Sequence, residues 1–312
     1  MIKIAIIGAG YIACEHIKAF QDINNVEVVG IYSRTKTKAE VLASRYNIEL
    51  VADSIEDLHS KTFSDGVVIA VSVSEIYNVT LECFKYNWKC LIEKPAGYNL
   101  EEAQLLNKYA IQNNIVAYVA LNRRHYSSTS KILVELMATD SKRIVKIQDQ
   151  EDIADPIRIG HPDKVIMNLM YSNSIHLIDY FTFLCRGNLL KVSNIINWDS
   201  NIPHLVIAKL EYDSGDIGIY EAIWNAPSPW IISVVTSEAR WEMAPLETLT
   251  KQDRGTRVKN QINIDKWDLE FKPGLRKQAK LFVDILQGEN ANLPTLNDSI
   301  KTMKLIKYIY NQ

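Results

Sequence analysis

The first twenty residues restrict the fold more than any other stretch. Ile2, Ile4, Ala5, Ile6 and Ile7 form a nearly continuous apolar run, the pattern of a strand buried on both faces of a parallel sheet. Gly8, Gly10 and Ala13 follow at the spacing G-x-G-x-x-A, and Cys14 to Phe20 reads as the start of a helix with Ile12, Ile17 and Phe20 facing inward. Each small residue has a separate physical task. Gly8 permits the tight turn off the strand, and Gly10 lets the backbone approach a pyrophosphate. Ala13 lets helix and strand pack closely. The helix from Tyr11 offers free N–H groups and a positive dipole end to the anion. A lone G-x-G-x-x-[GA] is a weak signal. Here it follows a strand and opens a helix, the context that gives it weight, with an ordinary tight turn as the alternative.

Strands and helices go on alternating. Val26 to Tyr32, Glu49 to Ala52, Gly66 to Val71, Trp88 to Ile92 and Ile115 to Leu121 read as strands. Thr37 to Tyr46, Ser54 to Leu58, Glu75 to Tyr86 and Leu100 to Gln112 read as helices, with Ser54 an N-cap and Asp57 in the capping-box position. Such alternation implies a doubly wound parallel sheet, whose ligands bind beyond the carboxyl ends of the strands. After Leu121 the pattern changes to runs of strands. Arg143 to Asp152, Leu189 to Trp198, His204 to Tyr212, Gly218 to Trp224, Trp230 to Thr236 and Ala239 to Met243 are expected strands, with Asp213-Ser214-Gly215-Asp216 a hairpin turn. The expected architecture is an α/β Rossmann domain over 1–121 and an α+β domain with a mostly antiparallel sheet over 122–312. A length of 312 residues suits two domains.

Composition excludes several classes. A net charge of −2 leaves no basic footprint for nucleic acid and no polybasic membrane patch. Cys14, Cys83, Cys90 and Cys185 are scattered, as expected of buried free thiols in a reducing compartment and not of a disulfide frame or a zinc site. No metal site is expected. With a first strand at the very N-terminus and no long apolar run, the expectation is a cytoplasmic protein.

Cofactor choice is read at the end of the second strand. A carboxylate there would favour NAD, and an arginine accommodates the 2′-phosphate of NADP. Ser33, Arg34, Lys36 and Lys38 stand there, without Asp or Glu, so NADP is preferred over NAD, a solvated turn being the plain alternative. Further on, Lys94 of Glu93-Lys94-Pro95 follows a buried strand, where surroundings can make a lysine a usable acid or base. In Tyr171 to Leu184, read as one helix, Ser172, His176 and Asp179 fall along one stripe. A histidine there can take a hydroxyl proton, although a lone histidine on an apolar helix is usually a satisfied core residue.

Taken in order, G-x-G-x-x-A, Glu93-Lys94-Pro95, Asn122-Arg123 and the His176-x-x-Asp179 helix resemble the glucose–fructose oxidoreductase / inositol dehydrogenase / MocA (Gfo/Idh/MocA) family. The resemblance implies hydride transfer between NAD(P) and a hydroxyl or keto carbon of a sugar, sugar acid, cyclitol or nucleotide-sugar. It implies that Lys94 and His176 are catalytic and flank the reacting hydroxyl. It places the dinucleotide at Gly8, Gly10, Tyr11, Ile12, Ser33, Arg34, Val71, Glu93 and Lys94. It places the substrate at Lys94, Asn122, Arg123, Ser172, Asn173 and His176. An open second sheet that joins subunits, and so a homodimer or homotetramer, is implied as well. One departure stands out: many members carry an aspartate four residues before the histidine, where this chain has Ser172, which holds no negative charge. Arg158, His161 and Lys164 are candidate substrate contacts, or simply a solvated loop. Trp224 and Trp230 are candidates for a sugar face or an interface, with core packing as the default. A dinucleotide- or sugar-binding sensor without catalysis is the rival reading, favoured by Ser172 and opposed by the retention of both Lys94 and His176.

Overall fold

A computed structural model describes residues 1–201 and 204–311. The chain runs β1 (Ile2–Ile7), α1 (Tyr11–Gln21), β2 (Val26–Tyr32), α2 (Lys36–Tyr46), β3 (Leu50–Val51), α3 (Ile55–Thr62), β4 (Gly66–Ile69), α4 (Ile76–Cys83), β5 (Lys89–Glu93), α5 (Leu100–Gln112) and β6 (Ala117–Ala120). These strands form one parallel sheet in the order β3-β2-β1-β4-β5-β6, the doubly wound dinucleotide-binding arrangement. The central strands β1 and β4 are apolar because helices cover both of their faces. The expected cap is present: Ser54 Oγ accepts the Asp57 N–H at 2.9 Å. Cys14, Cys83, Cys90 and Cys185 are free thiols and buried, and burial pushes Cys90 and Cys185 up to about 12.

A short 3₁₀ turn (Asn122–His125) leads on to α6 (Ser127–Met137), β7 (Ile144–Glu151), α7 (Ala154–Arg158) and α8 (Asp163–Ile166). A π turn (Met170–Ser174) then precedes α9 (Ile175–Ile178) and α10 (Phe181–Leu184). The rest is β8 (Leu189–Ile196), β9 (Leu205–Tyr212), β10 (Ile217–Trp224), β11 (Ile231–Val235), β12 (Ala239–Met243), β13 (Leu249–Asp253), β14 (Asn260–Ile262), α11 (Trp267–Glu270), α12 (Leu275–Leu286) and α13 (Leu296–Tyr310). The second sheet has the order β14-β13-β12-β11-β7-β10-β9-β8. It is antiparallel except for the β7–β10 pair, which runs parallel in register from Ile144↔Ile217 to Glu151↔Trp224.

The chain divides into two compact units, 1–125 with 267–300, and 126–266 with 301–311. The second crossing is the difference from the expected boundary at 121/122. It has a packing cause: Leu275, Ala279, Phe282 and Val283 on one face of α12 join the core made by Ile4, Ile17 and Phe20. Within the first unit Phe282 meets Phe20 edge to face at 6.2 Å. A second difference lies at 155–163, expected as a loop, where the short helices α7 and α8 take up its two ends. Arg158 pairs with Asp155 inside the first of them at 2.9 Å. Trp224 is a core residue in the second unit, its ring tilted at 47° to that of Trp198 with centroids 4.3 Å apart. Trp230 donates its Nε1–H to Gln150 O at 3.0 Å.

Candidate functional site

In the first unit the turn from β1 into α1 is built for close approach. Gly8 has φ +114°, and a Cβ there would stand 2.1 Å from Ala70 O, so no other residue fits. Gly10 is different: a Cβ on it would meet nothing within 4 Å. Nothing in the protein requires Gly10 to lack a side chain, and the space it leaves open lies at the start of α1. Gly10 caps α1 without any side-chain hydrogen bond, and the first turn carries no acidic residue. The helix therefore offers unblocked N–H groups and its positive end to an anion. The residues present fit a dinucleotide pyrophosphate.

A cavity of about 590 Å³ opens along this turn. Gly8, Gly10, Ile12, Ser33, Arg34 and Val71, all expected to touch the dinucleotide, line it, and Lys38 joins them. Tyr11 is exposed beside it, within cation–π distance of Lys272 at 5.5 Å. Arg34 is exposed and lies 3.5 Å from Glu75 on the facing wall, an ion pair weak enough for a phosphate to displace. Lys36, by contrast, is engaged with Asp53 at 2.5 Å. Glu75 is a cavity residue that sequence reading missed; as the residue preceding α4 it carried no motif.

Beyond β5, Glu93 has protein partners on both oxygens. Oε1 lies 2.7 Å from Nε2 of the buried His16, and Oε2 accepts the Lys94 N–H at 3.2 Å. The carboxylate thus ties α1 to the start of the Lys94-Pro95 turn, whose peptide bond is cis. Lys94 is half-buried. Asn122 is buried, and its Nδ2 donates to Pro273 O at 3.0 Å, so its amide secures the returning segment 267–300. Arg123 stays half-buried in the same 3₁₀ turn. His125, unremarked in the sequence, is buried there, and burial with Lys277 and Arg124 nearby lowers it to about 3.

In the second unit the structure brings Ser172, Asn173 and His176 into one helical stretch, but not as a continuous α-helix. The π turn widens the backbone just before His176. Ser172 Oγ donates to Leu169 O at 3.1 Å. Asp179 is buried and accepts from Thr302 Oγ1 at 2.6 Å, which anchors α9 to α13. Asn173 Nδ2 and Ser174 Oγ donate to Glu151, at 2.9 and 2.8 Å. Glu151 escaped the sequence reading because it looked like one more residue of an alternating strand. Arg186 and Asp216 form a separate support. Burial alone would raise the Asp216 carboxyl, but the Arg186 guanidinium and the Arg143 and Arg186 N–H groups hold it below its ordinary value. Among the described residues no group of His, Cys, Asp and Glu could hold a metal ion, and no helix is long and apolar enough to cross a membrane.

The turn, helix end and cavity define a dinucleotide-binding Rossmann unit. Comparison with known proteins narrows this class. Residues 2–121 match the family model described as oxidoreductase family, NAD-binding Rossmann fold, so this part of the chain is similar to the Gfo/Idh/MocA oxidoreductases. Glucose-6-phosphate 3-dehydrogenase of Bacillus subtilis is 30% identical over 127 residues, 41% of this chain. That match spans only 35% of the relative's own length. A longer match, 21% identical over 237 residues, is to 4-carboxy-2-hydroxymuconate-6-semialdehyde dehydrogenase of Sphingobium; it covers 73% of this chain and 74% of the relative. UDP-N-acetylglucosamine 3-dehydrogenase of Acidithiobacillus ferrooxidans has the same fold, with a TM-score of 0.80 over 99% of this chain and 96% of that one at 15% identity.

Proposed function

We propose that the protein is an NAD(P)-dependent oxidoreductase acting on a hydroxyl or keto carbon of a sugar-like small molecule. The observation that carries the reading is Gly10: a glycine whose missing side chain serves no protein contact, at an uncapped helix N-terminus, in a unit that matches an NAD-binding family. A bound nicotinamide dinucleotide would supply or accept the hydride. Gly8, Gly10 and the first turn of α1 hold its pyrophosphate. Ser33, Arg34 and Lys38 receive the adenosine ribose, and the lack of a carboxylate among them favours NADP over NAD.

Two residues handle the proton. His176 takes it from the substrate hydroxyl during oxidation and returns it during reduction. Lys94 hydrogen-bonds a substrate oxygen and stabilises its developing charge. Arg123, Ser172 and Asn173 contact the remaining substrate groups. The relatives that support a sugar-like substrate are a sugar-phosphate and a nucleotide-sugar dehydrogenase, whereas a sequence match over 73% of this chain is to a semialdehyde dehydrogenase. The half-exposed face of β9 and β10, with Ile207, Ile217, Ile219 and Ile223, supports self-association into a homo-oligomer. Four buried free thiols suit the cytoplasm.

The test is a fluorescence titration with NADPH and NADH, followed by a screen of sugar phosphates, cyclitols, nucleotide-sugars and their keto forms. NADPH binding with turnover of one class is the expected result. Binding of neither dinucleotide overturns the reading, and NADPH binding with no turnover of any candidate turns it to the sensor.

A further inference from the structure

Glu151 is the last residue of β7 and only 1% exposed. Its two donors, Asn173 and Ser174, close the π turn that runs directly into α9 and His176. The turn is two-sided. Ser174 is buried against the carboxylate, whereas Ser172 and Asn173 are only partly buried. The Asn173 amide presents its donor, Nδ2, to the carboxylate. With Nδ2 so engaged, the acceptor the amide still offers is Oδ1, and Asn173 stands three residues, less than one helical turn, before His176.

A second buried carboxylate lies on the same strand. Two residues earlier on the same face of β7, the buried Asp149 accepts from Tyr220 OH at 2.7 Å. Tyr220 OH lies 3.0 Å from Tyr310 OH, so a pair of buried phenols stands at Asp149. Burial pushes both phenols well above their ordinary value, so they remain protonated donors. Two buried carboxylates of one strand are thus each engaged by donors, Asp149 by Tyr220 and Glu151 by Asn173 and Ser174 of the turn before His176. A buried polar group this fully engaged fixes one arrangement of its neighbours.

We infer that Glu151 is a positioning residue: it locks Asn173 so that the amide oxygen is offered as an acceptor beside His176, which selects substrates bearing a hydroxyl donor next to the reacting carbon over analogues lacking it. This rests on the reading of His176 as substrate-facing. A pocket built to accept from a hydroxyl discriminates strongly against its deoxy analogue, because the acceptor is left unsatisfied.

The test uses the full chain as wild type, Glu151→Gln, Asn173→Ala and the double variant. Myo-inositol, glucose 6-phosphate and UDP-N-acetylglucosamine serve as probes, each with analogues deoxygenated beside the reacting carbon. Glutamine keeps the shape of Glu151 but lets the Asn173 amide turn over. Expected in Glu151→Gln is a KM for the hydroxylated substrate raised about tenfold, kcat changed less than about threefold, and the preference over the deoxy analogue lost. Asn173→Ala should show the same loss, and the double variant should be no worse than Asn173→Ala, since the two act as a unit. An equal fall on hydroxylated and deoxy substrates would mark a merely structural role and overturn the inference. Amide hydrogen exchange of unliganded protein gives a readout that needs no turnover: residues 170–176 should exchange about tenfold faster in Glu151→Gln while 2–21 are unchanged. If the wild type is inert on every probe, the catalytic reading falls. The exchange result then decides the positioning role alone, loosening supporting it and unchanged exchange overturning it.

Discussion

His16 Nε2 lies 2.7 Å from Glu93 Oε1, which joins the middle of the first helix to the end of the fifth strand. Both side chains are almost fully buried, and the other carboxylate oxygen holds the Lys94 N–H. The pair thus couples the helix that would hold a pyrophosphate to the turn that carries the candidate lysine. Removing one member leaves the other buried without its partner. Glu93→Ala should lower stability by about 3–5 kcal/mol, and His16→Ala by a similar amount. A denaturation double-mutant cycle should return a coupling well above 0.5 kcal/mol in magnitude, the usual scatter for independent sites. Additive effects would show that the contact carries no energy of its own.

Arg34 offers a sharper test of cofactor choice. Its guanidinium is exposed at the cavity wall and only loosely paired with Glu75, so a 2′-phosphate would find it available. Arg34→Ala should weaken NADPH by about 1.5–3 kcal/mol, the range for a hydrogen bond to a charged group, and leave NADH nearly unchanged. Glu75→Gln should do the reverse and tighten NADPH modestly, since it removes a competing carboxylate. Equal losses for both dinucleotides would move Arg34 from ribose recognition to general support.

Much of the first unit was legible because its signals are local. Gly8 and Gly10 sit eight to ten residues from the N-terminus in a fixed spacing, and the capping of α3 by Ser54 spans three residues. What escaped depends on distant partners. The polar segment β13 becomes a strand because β12 offers it a ladder, and β14 because β13 does, not because their own pattern alternates. The amphipathic face of α12 announces that it will be covered, but not that Phe20, more than 250 residues earlier, will cover it. The π turn at 170–174 is hidden because its residues are compatible with an α-helical period. Glu151 and Asn173 likewise become partners only when β7 is laid against that turn. The absence of a carboxylate at Ser172 was visible in the sequence, whereas the buried carboxylate next to the turn was not.

Lys94 and His176 are assigned different tasks, and substitution should separate chemistry from cofactor binding. Lys94→Ala and His176→Gln should each reduce kcat by roughly 10²–10⁴, the usual range for a positioned acid or base. Dinucleotide affinity, read by fluorescence, should change less than about threefold. Turnover near the wild-type level in either variant would remove that residue from the mechanism.

The acid sensitivity of folding should report His125. Burial first, and then Lys277 and Arg124, lower its folded value to about 3, against an ordinary value of about 6.5. The folded state therefore holds the imidazole neutral where the unfolded chain protonates it. Between these two values the unfolded state binds more protons, so stability rises with pH. His125 costs nothing above about pH 7, and the protein loses about 1.4 kcal/mol per pH unit through this residue as pH falls below about 6 towards 3. Replacing it by Phe or Gln should flatten that stretch of the stability curve. Asp216 acts with the same sign but lower on the scale: Arg186 holds its carboxyl below the ordinary value, so its contribution is complete above that value and disappears only in stronger acid. Chemical denaturation at pH 7, 6 and 5 would separate the two. If the wild type and His125→Gln lose stability in parallel over that range, His125 is not the group being titrated.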